Sequence, residues 1–381
     1  QTSTDPENNV SSYNYDAAGN LLELIGANGD SLSYSYDGNN LKTSYTDGNG
    51  NTTFYSYNGN MKLQSVTTPD SVSAAYTYDG EDRLVSVTDQ NGRVTAMAYD
   101  AAGRVVRKSD GEKNTTEYEY DAVGNVVKQI APNGSITENT YDAVGNLLTV
   151  KDASGNLTSY RYNAFSKTVQ IENAENGISK NVYNVAGDLL CSVNAQNQSV
   201  KYAYDAFGNK ISVTDANGSV TKYSYDANNN LVSVTDALGN KTTNVYDCNN
   251  RLVETNDALG NKTFYGYDVL GRQISETDAN GHTSRKSYDA NGNVLSVTDA
   301  KGNIQQTALY DQNNNAVSVT DAAGNTVTNQ YDRAGNLTVT ADALGNEQSY
   351  TYDGNNRMTA AVNKDGKTSG VGYDENGNIT R

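Results

Sequence analysis

The chain has no tryptophan, one histidine, two cysteines, three prolines and four phenylalanines in 381 residues. A single histidine, His282, leaves a Ser-His-Asp arrangement nowhere else to assemble, and nothing near it in sequence supports one. The two cysteines, Cys191 and Cys248, form no metal-ligand pair and neither require nor exclude export. With prolines only at 6, 69 and 132, almost no β-ladder donor is lost. Hydrophobic residues make up 36%, too few for a thick core. No apolar run reaches the length that spans a bilayer, which argues against membrane insertion. Residues 1–10 lack the basic start and apolar stretch of a signal peptide. Basic residues are short too: 28 Lys and Arg against 45 Asp and Glu leave a net charge of −17. That balance argues against binding a nucleic-acid backbone or an anionic membrane surface. The charge is spread over the turns, where solubility is its plain role.

Tyrosine, by contrast, is plentiful and regular. Eighteen of the 29 fall at a spacing of 21 residues: Tyr15, Tyr36, Tyr57, Tyr78, Tyr99, Tyr120, Tyr141, Tyr162, Tyr183, Tyr204, Tyr225, Tyr246, Tyr267, Tyr288, Tyr310, Tyr331, Tyr352 and Tyr373. The spacing slips once, by one residue, between Tyr288 and Tyr310. Fifteen of these anchors precede Asp, and three precede its amide at Asn58, Asn163 and Asn184. A fixed period means one small unit stacked many times.

The unit reads clearly in Tyr225–Val245, YDANNNLVSVTDALGNKTTNV. Two turn phrases each open with Asp, whose carboxylate can bond the backbone two residues on. Between and after them lie short stretches rich in β-branched residues, so a strand falls about every 10 residues. Four residues after the anchor stands Gly ten times, Asn five times and Asp once, with Met61 and Ser166 apart. Fourteen after it stands Gly thirteen times, including Gly218, Gly239, Gly260 and Gly281, and Asn twice, with Ser71 and Lys113 apart. In the first-turn position Gly145 is typical. These residue types tolerate the positive φ that hairpin turns need. Ten further Tyr lie two residues before an anchor, on the same strand face, and only Tyr45 falls outside the pattern. Val or Leu seven and nine residues after the anchor supply the partner strand's apolar side. Stacking then brings Tyr near Tyr, and such aromatic pairs contribute roughly 0.2–1 kcal/mol each. About 36 strands at roughly 4.8 Å make a strip on the order of 170 Å along its stacking direction, and a strip that long must twist. The expected fold is all-β. It is an antiparallel β-hairpin strip of eighteen 21-residue repeats, coiled into a spiral tube or hollow shell. Residues 1–10 form a lead-in and 11–381 a single array.

The recurring YDAxGNLLxxxTDAxGNxTxxxYxYD, seen at Tyr141–Leu147 and Tyr204–Asn209, resembles the YD or RHS repeat across residues 11 to 381. Proteins with such repeats include bacterial RHS toxins, insecticidal toxin-complex shells, wall-associated toxins and teneurins. The resemblance implies a spiral shell without catalytic residues of its own, in a secreted or cell-surface bacterial protein. In the toxins the shell encloses a C-terminal toxic domain. The sequence departs from the family where Arg usually follows the turn glycine. Here that residue is mostly Asn, with Arg104 and Arg272 as exceptions among first turns. No capping module or variable domain is expected before the sequence stops at Arg381, so toxic or self-cleaving activity is carried over to no residue.

The chemistry of other classes finds little support. His282 reads as a turn residue. The many Asp follow the repeat period, so turn capping explains them better than a glycosidase carboxylate pair. Asp-Ala-Asn-Gly phrases supply oxygen ligands, yet they match neither the GGxGxD pattern nor an EF-hand loop, so calcium is at most adventitious and no cofactor is expected. Asn-x-Ser/Thr triplets at Asn51, Asn133, Asn217 and Asn240 follow from turns meeting Thr-rich strands. The expected role is a non-catalytic structural module enclosing or displaying a C-terminal cargo carried on the same polypeptide. One alternative is a filament of neighbouring copies joined end to end by strand pairing. Another is an adhesive or glycan-binding surface; there, changing Tyr223 and Tyr225 to Ala would abolish retention on cell-wall polysaccharide.

Overall fold

A computed structural model describes residues 1–380; Arg381, the last residue of the expected array, lies outside the described residues. Thirty-six strands run from β1 (Thr2–Thr4) to β36 (Thr368–Gly370) in one antiparallel sheet, with no helix among the described residues. The protein divides into two units, one of residues 1–115 and 265–381, the other of residues 116–264.

One repeat in the second unit shows how the 21 residues are used. Strand β14 (Ile136–Tyr141) has six residues, β15 (Leu147–Lys151) five and β16 (Leu157–Tyr162) six. Five-residue turns, 142–146 and 152–156, join them. In the first hairpin Thr140 faces Thr149 but Tyr141 faces Leu147, so the register shifts beside the anchor. The residue skipped is Leu148, an extra residue on the return strand of the kind that bends and twists a sheet. The same shift recurs beside Tyr162, Tyr183, Tyr204, Tyr225 and Tyr246. It gives the strip a built-in, periodic source of twist.

The one-residue slip in the period is absorbed without breaking the ladder. Strand β30 (Ile304–Tyr310) has seven residues, and a register shift at Val297/Thr298 takes up the addition. The segment set apart as a lead-in is itself built as a hairpin. Strand β1 pairs with β2 (Val10–Tyr15) across the turn Asp5–Asn9, in which Asn8 takes φ 68°. Counting from tyrosines hides this turn because no anchor precedes it. All three prolines stand second in a turn, the position whose φ proline already fixes.

The strip carries little interior. Only Ala74, Ala308 and Ser233 are buried, and no side chain is fully buried among the described residues. Stability therefore resides in ladders, turns and contacts between neighbouring repeats. On one face Tyr pairs with β-branched residues, as Tyr223 with Val234 and Tyr160 with Ile171. On the other, hydroxyls bond across strands, as Thr140 to Thr149 at 2.6 Å and Ser287 to Ser296 at 2.6 Å.

Gly239 sits at φ +88° with open space around a Cβ position, so substitution there meets backbone strain alone. Gly239→Val is expected to destabilise its hairpin by more than ~1 kcal/mol, read as a lower melting temperature. Gly239→Asn is expected to cost less, because Asn already adopts this conformation at Asn229 and Asn250.

Candidate functional site

The functional surface of such a strip is its wall and the turns that edge it. Most turns are built by one carboxylate, as at Asp142. Asp142 Oδ1 accepts from the N–H of Val144 at 3.0 Å and of Asn146 at 2.8 Å. Its Oδ2 accepts from the Asn146 side chain at 2.8 Å. The backbone closes the loop from Gly145 N–H to Asp142 O and from Asp142 N–H to Asn146 O. This is a type I turn followed by a residue at positive φ, a common three-residue hairpin connection. Gly145, Gly218, Gly239, Gly260 and Gly281 occupy that residue, with φ between +80° and +90°. Met61, Ser71, Lys113 and Ser166, which break the residue pattern, hold the same positive φ.

The fifth turn residue has a second task. Where it is Arg in a first turn, its guanidinium takes the place of the Asn amide. Arg83, Arg104, Arg251, Arg272 and Arg357 all lie 2.6–2.7 Å from the turn Asp four residues earlier. Arg83, Arg251 and Arg357 follow Asp or Asn rather than Gly, so a search for Arg after the turn glycine passes over them. Arg83, Arg272 and Arg357 also lie over the rings of the next anchors, Tyr99, Tyr288 and Tyr373, at 4.3–5.0 Å. Where the fifth residue is Asn it can reach the next turn instead: Asn209 donates to Asn229 Oδ1 and Asn230 to Asn250 Oδ1. Asn at the positive-φ position is thus an acceptor for its neighbour as well as a tolerant residue. His282 fills the same place, with Nδ1 3.1 Å from Asp278 Oδ2. Asn184 and Asp188 make the pair with amide and carboxylate exchanged, at 2.8 Å.

The anchors connect by hydroxyl rather than by ring stacking. At least fourteen donate their O–H to the carbonyl opening a preceding return strand. Tyr162 bonds Leu147 O at 2.8 Å, and Leu147 is the residue facing the previous anchor, Tyr141. Successive anchors lie a whole hairpin apart, so ring meets backbone where ring-on-ring contact was expected. A ring pair does form between Tyr34 and Tyr45, at 5.3 Å, around the one tyrosine outside the pattern. Tyr225, one of the two residues expected to hold glycan, has its hydroxyl on Lys210 O at 3.0 Å.

In the unit of residues 1–115 and 265–381, turns from distant parts of the sequence meet. Asn49 donates to Asp289 Oδ2 at 2.9 Å, and Asn291 donates back to Asp47 Oδ2 at 2.7 Å. Asn91 bonds Asp332 at 3.0 Å and Asn355 bonds Asp110 at 2.6 Å. At this last contact a Cβ on Gly111 would collide with the Gly354 carbonyl, so only glycine lets the two turns close. Where Thr68 replaces the turn Asp, the seam opens into a cavity of about 610 Å³ lined by Thr68, Pro69 and Asn313. In every bonded pair, a second turn of one stretch meets a first turn of the other. Sequence reasoning missed this seam because its partners stand 240 to 245 residues apart and every turn looks alike. Paired third-position asparagines, as at Asn49 and Asn291, are the signal that was there to find.

These bonds leave an electrostatic mark. The Asn146 side chain, followed by backbone N–H groups, holds the Asp142 carboxyl below the ordinary carboxylate value. Asp152 and Asp226 are lowered by the same causes. At the seam burial pushes Asp289 up, but the amides of Asn293 and Asn49, together with the backbone N–H groups of Asn293 and Asn291, more than offset it, and the carboxyl remains lowered. No three acidic, histidine or cysteine side chains converge on a point that could hold a metal ion among the described residues. No helix among them is long and apolar enough to cross a membrane.

With this geometry the comparisons with known proteins agree. Residues 15–53, 55–94, 78–114, 99–136, 141–176, 183–219, 211–241, 246–283, 267–304, 310–347 and 331–368 match the RHS Repeat family model. The protein therefore belongs to the RHS-repeat family, and its repeats form a structural module of the all-β hairpin type that family builds. Among solved structures, it is similar to a chain in the crystal structure of TcdB2-TccC3-Cdc42, at 14% identity and a TM-score of 0.78 over 96% of its own length. It matches TcdB2-TccC3 without its hypervariable C-terminal region at 14% identity, with a TM-score of 0.79 over 97% of its own length. A third match is a chain of the Tc holotoxin pore of Photorhabdus luminescens, at 14% identity and a TM-score of 0.78 over 96% of its own length. It spans about a quarter of the length of each of these relatives, 24% in all three. No curated protein sequence matches it significantly.

The turn chemistry can be checked by mutation and by acid. Tyr162→Phe removes only the donor to Leu147 O and is expected to cost about 0.5–1.5 kcal/mol in chemical denaturation. A carboxyl lowered on folding contributes stability that is present above its unfolded value, about 3.9, and is lost as pH falls through the lower folded value. Melting temperature is expected to fall as pH drops below about 4, although protonation also relieves the self-repulsion of an acidic protein. Scanning calorimetry across that window checks the sign.

Proposed function

We propose that this protein is a wall segment of a large secreted or cell-surface bacterial protein, enclosing or displaying a polypeptide that lies C-terminal to it. The supporting observation is the likeness, over nearly its whole length, to TcdB2-TccC3 chains about four times as long. The physical case rests on the single layer. A sheet without an interior leaves both faces open, so one face is free to line a chamber while the other meets solvent. Its role is mechanical: hydrogen-bonded strands with few free edges keep an unfolded or toxic polypeptide from solvent and from premature contact. The register shift that recurs beside successive anchors supplies the repeated bend that a curved wall needs. In this reading the turns serve structure, and the chemistry of any cargo is the cargo's own.

Electron microscopy of the purified protein tests this reading. A curved or closed wall around an empty lumen is expected. Flat sheets, or solid rods with no lumen, would contradict it.

A further inference from the structure

The uncovered first turns of the second unit carry apolar tips in consecutive repeats, where the covered turns are mostly polar. At the seam of the first unit, the third residue of four of the five second turns is Asn or Asp, and the facing first turns carry Asn at three of five. In residues 116–264, first turns of consecutive repeats instead present Val123, Val144, Phe165 and Phe207 at the third position, and Val185 at the second position of the intervening turn, all 76–100% exposed. The second turns of the same unit end in two more apolar tips, Leu238 and Leu259, 87–88% exposed. Polar residues normally occupy hairpin tips because nothing covers them. Five consecutive repeats of the opposite kind form an apolar row rather than scattered single exposures.

The structure also shows what covers such an edge. Where first turns of this strip meet a partner, the partner is a row of second turns. One apolar tip takes part: Leu270 Cδ2 lies 3.4 Å from the Cβ position at Gly26, and Leu270 is 41% exposed, half the figure for the uncovered tips. The pitch matches as well, since Leu238 and Leu259 repeat at the same 21-residue interval as Val123, Val144 and Phe165. Two strands separate successive tips on either row, so neighbouring leucines of one strip can stand opposite neighbouring first turns of another.

We propose that the first-turn row Val123–Phe207 docks the second-turn edge at Leu238 and Leu259 of a second copy of this protein. The two surfaces differ, so the contact is heterologous and each copy offers one of each; such contacts propagate head to tail. The proposal is independent of what the wall encloses. It also differs from end-strand pairing, because it uses turns and leaves the terminal strands β1 and β36 free.

Sedimentation velocity of the intact protein over a roughly hundredfold concentration range is the test. The unaltered protein is expected to associate as concentration rises. The first-edge variant Val144→Asp/Phe165→Asp/Phe207→Asp and the second-edge variant Leu238→Asp/Leu259→Asp are each expected to need at least about tenfold more protein to associate. Their melting temperatures should be unchanged, since the altered tips are exposed. If the aspartates disturb folding, Phe165→Ser/Phe207→Ser reads the same interface. Mixing the two variants restores one intact contact between unlike copies, so a one-to-one dimer is expected. Monomers throughout from the unaltered protein, variants that associate as readily as the parent, or a mixture that stays monomeric would each overturn the proposal.

Discussion

Everything in this strip depends on a carboxylate, or the equivalent amide oxygen, folded back on its own backbone. A hairpin of two short strands is marginal in water, and a sheet one layer thick gains little from burial. What holds most reversals is an oxygen that accepts from backbone groups two and four residues on, backed by a side chain at the fifth turn residue. The requirement is met in several ways. Asn163 supplies the accepting oxygen where Asp is missing, and Arg251 or His282 supplies the reinforcing donor where Asn is missing. The task of the position is kept from repeat to repeat while its residue changes.

The turns alone would yield independent hairpins. Three devices link one to the next. The anchor hydroxyl reaches the carbonyl facing the previous anchor, so the repeats are tied through the backbone. Arginine lies over the following anchor ring, or asparagine reaches the following turn. Ladders of Tyr with Val and of Thr with Thr fill the two faces. Each link is worth little, and nearest-neighbour addition along a repeat array makes the sum cooperative. The seam between Asn49 and Asp289 extends the same amide-to-carboxylate chemistry from local turns to turns far apart in sequence.

Much of this was legible in the sequence because the period is local. Strand positions, turn positions and positive-φ residues all follow from distances of 4, 14 and 21 residues. The Tyr hydroxyl bond was not legible, since the expected neighbour of one ring was another ring rather than a carbonyl. Nor was the bulge at Leu148 beside Tyr141, which needs register rather than composition. The Asp5–Asn9 turn was lost because the period starts at the first anchor. The seam lay beyond any local rule: Asn49 and Asn291 belong to turns that differ little from Asn280 and its neighbours. The five first-turn arginines were partly hidden because three follow Asn or Asp.

Hydrogen exchange of individual amides addresses the central claim most directly. If the turn oxygen organises the strip, the N–H groups two and four residues after each turn Asp should exchange as slowly as strand amides, repeating with the period of the sequence. Rapid exchange at those positions, with protection confined to the strands, would show that the turns are loose connections and would contradict the account.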